Sequence, residues 1–234
     1  MHEIALLFDT ETTGLHEPQV IEVAWIRSAD RGSIFASAAY NQRFRPSKPI
    51  EFGAMAIHHI TDEDLINCPP SDSFRLPDGV QYLIGHNIDH DWAAIGKPAV
   101  RRIDTLALSR VLWPEADSHK LTALLYMLDR PFAREHAHVA HIAAADVFML
   151  GRLLSIILDY LGNPATFYEL WRHSEAARVP RTMQHGVYKG ALIADVPADY
   201  RRRLLSQSDL DPYLRQALEA VEPPAPIASS GASK

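Results

Sequence analysis

Asp9 and Glu11 are the residues whose type and spacing first point to chemistry. They follow the apolar run Ile4-Ala5-Leu6-Leu7-Phe8, which reads as a buried strand, and side chains two apart on a strand point to the same side of the sheet. Two carboxylates are therefore aimed side by side at the end of an apolar strand. Like charges this close raise a pKa unless a cation sits between them, and a divalent metal meets that need. Taken alone, the pair also fits a strand that ends in the polar turn Thr12-Thr13-Gly14.

Three further groups bear on the choice. Asp146 shares a helical face with Ile142, Ala143, Leu150, Leu153, Leu154 and Ile157. A carboxylate on so apolar a stripe costs several kcal/mol, in order of magnitude, to desolvate without a compensating charge or hydrogen bond. His141 lies five residues earlier, about 500° around a continuous helix, so the two converge only if His141 sits at or before the helix start. Histidine's ordinary pKa of about 6.5 suits a base that takes a proton from water. The chain has 12 histidines, and spacing alone does not choose among His136, His138 and His141. In Gly85-His86-Asn87-Ile88-Asp89-His90-Asp91-Trp92, after another buried strand, either Asp89 or Asp91 is the candidate fourth carboxylate.

The elements that must position these groups follow from periodicity. Strands are expected over residues 3–9, 20–28 and 34–44 as an antiparallel meander, with a turn at 28–33. Short helices are expected over 47–57 and 61–66, the second with Thr61 as N-cap and Asp64 in a variant capping box. After a Pro- and Ser-rich loop at 68–79 come a strand (80–85), a helix (89–95), a short strand (101–103), helices (104–112 and 121–128), and the longest helix, 140–161. The segment 136–140 reads as an entry loop. The expected fold class is α/β, a mixed sheet flanked by helices. A composition shift at Asn163-Pro164 divides a domain over 1–163 from a small module over 164–221, and 222–234 is expected to be a disordered tail.

Bulk properties narrow the class. A chain of 234 residues buries one good core with a small appendage. With one cysteine, Cys68, no internal disulfide forms, which fits a reducing, cytoplasmic setting. No secretory leader is read, and no apolar run approaches the ~18–20 residues of a membrane span, so no membrane association is expected. A net charge of −6 argues against a protein that coats nucleic acid, less so against an enzyme whose carboxylates hold metals. Arg43, Arg45, Lys97, Arg101-Arg102 and Arg201-Arg202-Arg203 are local basic groups that a phosphate backbone could meet, or simply solvated charges.

Together these pieces resemble the DEDDh branch of the DEDD 3′→5′ exonucleases, within the ribonuclease H-like superfamily. Phe8-Asp9-Thr10-Glu11-Thr12-Thr13-Gly14-Leu15 resembles the first motif of that family, His86 to Asp91 the second, and His141-Ile142-Ala143-Ala144-Ala145-Asp146 the third. The second motif selects Asp91 over Asp89, and the third selects His141. Ile21-Glu22-Val23-Ala24, Ala56 to Thr61 and Ile103 to Leu106 also match, and His90 departs from the Phe usual at its position. The resemblance spans residues 3–161. The C-terminal Gly186-Val187-Tyr188-Lys189-Gly190, with Asp195-Val196-Pro197 and Tyr200, resembles the extension of exodeoxyribonuclease X-type enzymes. That extension reads either as an accessory grip on DNA or as a packing or partner-docking piece.

The resemblance implies two-metal hydrolysis with Mg²⁺ or Mn²⁺. Asp9 would bridge both ions, Glu11 and Asp146 would hold one, Asp91 would help hold the other, and His141 would deprotonate the attacking water. Thr12, Gly14, Leu15 and His58 would contact the terminal nucleotide. The expected activity is release of 5′-mononucleotides from single-stranded or frayed DNA 3′ ends in repair or recombination. The expected partner is nucleic acid, with a homodimer or a polymerase or repair partner left open. A proofreading epsilon-type polymerase subunit and an RNA exonuclease of the ribonuclease T or oligoribonuclease kind share these residues. A non-enzymatic nucleic-acid-binding domain is disfavoured by the complete catalytic set.

Overall fold

β1 (Ala5–Thr12) becomes the central strand because it is apolar on both faces up to Phe8: Ala5, Leu6, Leu7 and Phe8 are fully buried. The structure is a computed structural model and describes residues 3–28 and 39–221. β1 pairs antiparallel with β2 (Val20–Ser28), and β2 with β3 (Tyr40–Arg43). On its other edge β1 pairs in parallel with β4 (Tyr82–Gly85), and β4 with β5 (Arg101–Asp104). The order β3-β2-β1-β4-β5 is the expected mixed α/β sheet, a meander joined to parallel strands. The start of the expected third strand (34–38), most of the turn before it, and the tail 222–234 lie outside the described residues.

Six helices follow β3 before residue 161: α1 (Phe52–His58), α2 (Ile88–Ala94), α3 (Thr105–Leu112), α4 (Leu121–Leu128), α5 (Arg130–His136) and α6 (Ala143–Tyr160). α1 starts later than its pattern indicates because Pro46 and Pro49 keep the entry extended, as Glu51 still is (φ −66°, ψ 138°). Thr61 and Asp64 form the expected capping box on a short 3-10 turn, Asp62–Leu65. α5 occupies a stretch where periodicity indicates no helix, and its last residue, His136, opens the expected entry loop. Asp129 caps it by accepting the Phe132 amide at 3.2 Å, and Pro131 sits where a missing N–H costs nothing.

Strand alternation sorts the helices. Leu6 and Phe8 pack with Ile88 of α2, together with Phe44, Trp25, Phe74 and Trp92. Thr10 continues that side. Ala5, Leu7, Asp9 and Glu11 therefore face the opposite side, where α6 packs on β1 and β2 and buries Val147, Leu150, Leu153, Leu154 and Ile157.

Contacts divide the chain into two compact units, Met1–Glu175 and Ala176–Lys234, a division later than the expected 163/164. α7 (Phe167–Arg178) starts within the first unit, where the Phe167 amide donates to Glu3 and Ser174 Oγ accepts the Asp104 amide. The second unit has its own core of Met183, Ile193, Val196, Ala217 and Leu218, covered by α8 (Ala198–Leu205) and α9 (Pro212–Val221). Its Gly186-x-Tyr-x-Gly turn requires glycine at 186, where φ is +78° and a Cβ would lie 2.8 Å from the Tyr200 hydroxyl. No helix among the described residues is long and apolar enough to cross a membrane.

Candidate active site

The carboxylates converge at the carboxyl end of β1 from three directions. Asp9 and Glu11 come from the strand itself. Asp91 comes from the first turn of α2 and is held from the other side of the sheet. The Thr10 amide and hydroxyl both donate to Asp91 Oδ1, at 2.9 and 2.7 Å. Asn87, left-handed at φ 73°, turns the chain from β4 into α2, and its amide is held by Asp104 Oδ1 at 2.9 Å. Asp89, the other candidate, points away and pairs with Arg102. His90, in the position usual for Phe, is half-buried, and burial lowers its pKa.

Asp146 comes from the first turns of α6. His141 precedes the helix with a left-handed backbone (φ 69°), and its amide donates to Asp146 Oδ2 at 2.9 Å. This tight entry brings two residues together that a continuous helix would separate. Glu11, His141 and Asp146 each offer one ligand atom, all within 4.8 Å of one another. His141 thus lies beside two of the acids, near enough to reach a water bound between them. His136 is instead engaged with Phe132 and Phe148, its ring centroid 4.4 and 5.1 Å from theirs, and His138 is exposed.

The electrostatics record the crowding. Asp9 is pushed well above the carboxylate range, first by burial and then by Asp91, Asp146, Glu11 and Glu22. Glu11 is raised to about 8 by burial, Asp146, Glu22 and Asp91. Asp91 rises to about 7, chiefly through burial, although the Thr10 hydrogen bonds pull it down. Asp146 is raised by burial against the opposing effect of His141. Four neighbouring acids resist ionisation, and Glu11 and Asp146 among them come within ligand distance of each other, which is an oxygen donor set suited to a hard divalent cation.

Glu22 and Thr10 join the site without having stood out in the sequence as site residues. Glu22 lies opposite Glu11 in the β1–β2 register and is 1% exposed. A carboxylate in the apolar strand Val20-Ile21-Glu22-Val23-Ala24 is the available signal.

Around the acids, the Thr12-Thr13-Gly14 turn folds back on the start of α1. The Glu51 amide donates to the Thr13 carbonyl at 2.8 Å, and Thr12 Oγ1 donates to the Gly14 carbonyl at 3.2 Å. Leu15 projects from this turn, 81% exposed. His58 is buried. Its Nδ1 accepts from the Ile60 amide at 3.0 Å, while Nε2 lacks a well-formed partner. Burial lowers its pKa, and the nearby Thr12 backbone opposes that shift.

These shifts predict a pH dependence. An acid whose folded pKa is raised makes the native state bind protons more tightly than the unfolded chain, so stability is lost as pH rises through the folded pKa. The histidines His58, His86 and His90, whose pKa values burial lowers, act in the opposite sense, and only below about pH 6.5. Between pH 7 and 9 the acids dominate. The thermal midpoint of metal-stripped protein is expected to fall by a few degrees over that window, and Mg²⁺ to restore more of it at pH 9 than at pH 7. A midpoint flat with pH and indifferent to Mg²⁺ would contradict this picture of the site.

Comparison with known proteins adds relatives. No family model matches the chain. A DNA polymerase III subunit epsilon-like protein of Rhodobacter capsulatus is 28% identical over 163 residues, 62% of this chain and 23% of that protein. A PolC-type DNA polymerase III of Lacticaseibacillus paracasei is 33% identical over 64% of this chain and 11% of its own length. The chain thus spans less than a quarter of these polymerase relatives. Exodeoxyribonuclease 10 of Escherichia coli K12 is 27% identical over 229 residues, 91% of this chain and 96% of that protein. Among solved structures, exonuclease X in complex with 5′-overhanging duplex DNA superposes with a TM-score of 0.54 at 24% identity, covering 71% of this chain and 99% of that one. Escherichia coli exonuclease I with a dT13 oligonucleotide gives 0.59 at 17% identity, covering 88% and 60%. The chain is thus similar in sequence to proteins named exodeoxyribonuclease 10 and DNA polymerase III subunit epsilon-like protein, and its mixed α/β fold is the one seen in exonucleases X and I.

Proposed function

We propose that this protein is a metal-dependent 3′→5′ exonuclease that releases 5′-mononucleotides from DNA 3′ ends. The observation that carries the reading is the meeting of Asp9, Glu11, Asp91 and Asp146, all with raised pKa values, beside His141. The fit to a divalent cation rests on that donor set: oxygen ligands that burial and mutual repulsion hold back from ionising. Asp9, Glu11, Asp91 and Asp146 would hold Mg²⁺ or Mn²⁺, two ions in this reading, which when bound would polarise the scissile phosphate and acidify a water. A ring nitrogen of His141 takes the proton from the attacking water. The hydrogen bonds from Thr10 hold Asp91 in one orientation toward the acids. Leu15, open to solvent, meets the terminal base, the Thr12-to-Gly14 backbone lines its sugar and phosphate, and His58, buried behind Thr12, supports that backbone beside the sugar.

The extent of similarity favours DNA and a free-standing enzyme. The match to exodeoxyribonuclease 10 takes in the C-terminal unit, whereas these two polymerase relatives match 62% and 64% of the chain. The test is digestion of single-stranded DNA, duplex DNA and RNA oligonucleotides in parallel with Mg²⁺, each labelled at either end. Mononucleotides released from 3′ ends of DNA and abolished by EDTA are expected. Release that begins at 5′ ends, or none at all, would overturn the reading, and faster attack on RNA would reassign the substrate.

A further inference from the structure

We propose that Glu22 is a positioning residue: it fastens the amino end of α6, and with it His141 and Asp146, to the strand pair that carries Glu11. The inference rests on the hydrolytic reading of that trio. Glu22 is on β2 directly opposite Glu11, at the edge of the register shift between Glu11 and Thr12. Its side chain is 2% exposed, and both oxygens are engaged. Oε1 accepts from Arg43 Nε at 3.0 Å and Asn41 Nδ2 at 3.4 Å, both on β3. Oε2 accepts from the Ala143 amide at 3.3 Å.

That last contact supplies what α6 lacks. The N-cap of α6 is Ile142, which has no side-chain acceptor, and Ala143 is the first residue of the helix. A helix start with unpaired amides is costly when buried, and Ala143 is fully buried. Glu22 reaches across from the sheet to take the amide that a local Ser or Asp would not have tied to β2. The contact therefore fixes the helix start to the strand opposite Glu11, where a polar cap within the loop would leave the helix free to shift. His141 lies two residues before that anchor and Asp146 three residues after it.

Stability alone is a poor account of this carboxylate. A buried ion pair is weak evidence for stability, and a Leu or Met would pack the same strand without desolvating a charge. Glu22 also adds to the repulsion on Asp9 and Glu11. Arg43, half-exposed, offsets part of that charge from outside.

The test compares two replacements at position 22. Glu22→Gln keeps an oxygen for Ala143 but turns its NH2 toward the Arg43 and Asn41 donors, so kcat on a short single-stranded oligonucleotide is expected to fall only about three- to tenfold. Glu22→Met fills the space without an acceptor. It is expected to lower kcat roughly 30- to 100-fold with KM little changed, because misplacement by about 1 Å is enough for that. Calorimetric Mn²⁺ binding to the DNA-free Met variant should weaken about tenfold, as for other residues that orient ligands. Should the Met variant not fold, Arg43→Gln on the half-exposed partner is expected to lower kcat three- to tenfold and to loosen Mn²⁺ in parallel. Native kcat and Mn²⁺ affinity in the folded Met variant, or in Arg43→Gln, would overturn the inference. So would a Gln variant as damaged as the Met one. Loss of metal-dependent hydrolysis in the native chain itself would instead sink the exonuclease reading.

Discussion

Asp9→Ala protein is expected to fold and to release nucleotides at least about a thousandfold more slowly than the native chain. Metal ions contribute several kcal/mol to such a transition state, and each 1.36 kcal/mol is a factor of ten. Asp9 is the acid most heavily loaded by its neighbours, with Asp91, Asp146, Glu11 and Glu22 all acting on it. Removing it deletes an oxygen ligand and also deletes the carboxyl whose ionisation burial and its neighbours oppose most. The same variant should therefore have a higher thermal midpoint than native protein in EDTA, and the two should cross over once Mg²⁺ is added. This is the stability that a functional site gives up. Asp146→Ala should lose activity similarly but gain less stability, because its carboxylate also accepts the His141 amide. Labelled-end digestion and melting curves with and without metal check both statements. Near-native hydrolysis by well-folded Asp9→Ala protein would end the metal-site reading. A lower midpoint in EDTA would end the electrostatic account alone.

His141→Ala is expected to slow the reaction by roughly 10²–10⁴, the usual worth of a positioned general base. The position complicates the test, because the backbone there is left-handed at φ 69° and alanine resists that conformation. His141→Asn is the better control, since asparagine tolerates left-handed backbone and still lacks a basic ring. Both variants should be slow, whereas His138→Ala should be near native. Single-turnover rates on labelled DNA decide the matter. An Asn variant that hydrolyses at the native rate would remove His141 from the base role and leave it as a hinge for Asp146.

Much of the site is legible in the residue pattern alone. The alternation of β1 puts Asp9 and Glu11 on one face, and that rule needs only the pleat. That His141 and Asp146 meet only if His141 precedes the helix also follows from helical geometry, and the left-handed residue before α6 realises it. Asp89 and Asp91, by contrast, sit on the same short helix with similar local credentials. The choice between them depends on partners far away in the chain: Arg102 draws Asp89 outward, and Thr10 on β1 fixes Asp91 inward. α5 is not legible because its amphipathic signal is short and its stability comes from Asp129, Arg152 and the Phe132–Phe148 contact. The helices α8 and α9 escape for a similar reason, since the small core they cover is assembled from distant positions.

The order of the elements, the facing of the first two acids and the identity of the motifs are thus properties of the chain as written, because periods of two or 3.6 residues encode them within single elements. Three features required the packed molecule: Glu22 joins the site, Thr10 steers Asp91 through the sheet, and His136 is spent on aromatic packing while His141 faces the acids. The physical reason is range. Periodicity fixes which way a side chain points from its own element, whereas a cluster of like charges exists only once separate elements have packed, and its energetics belong to the packed arrangement.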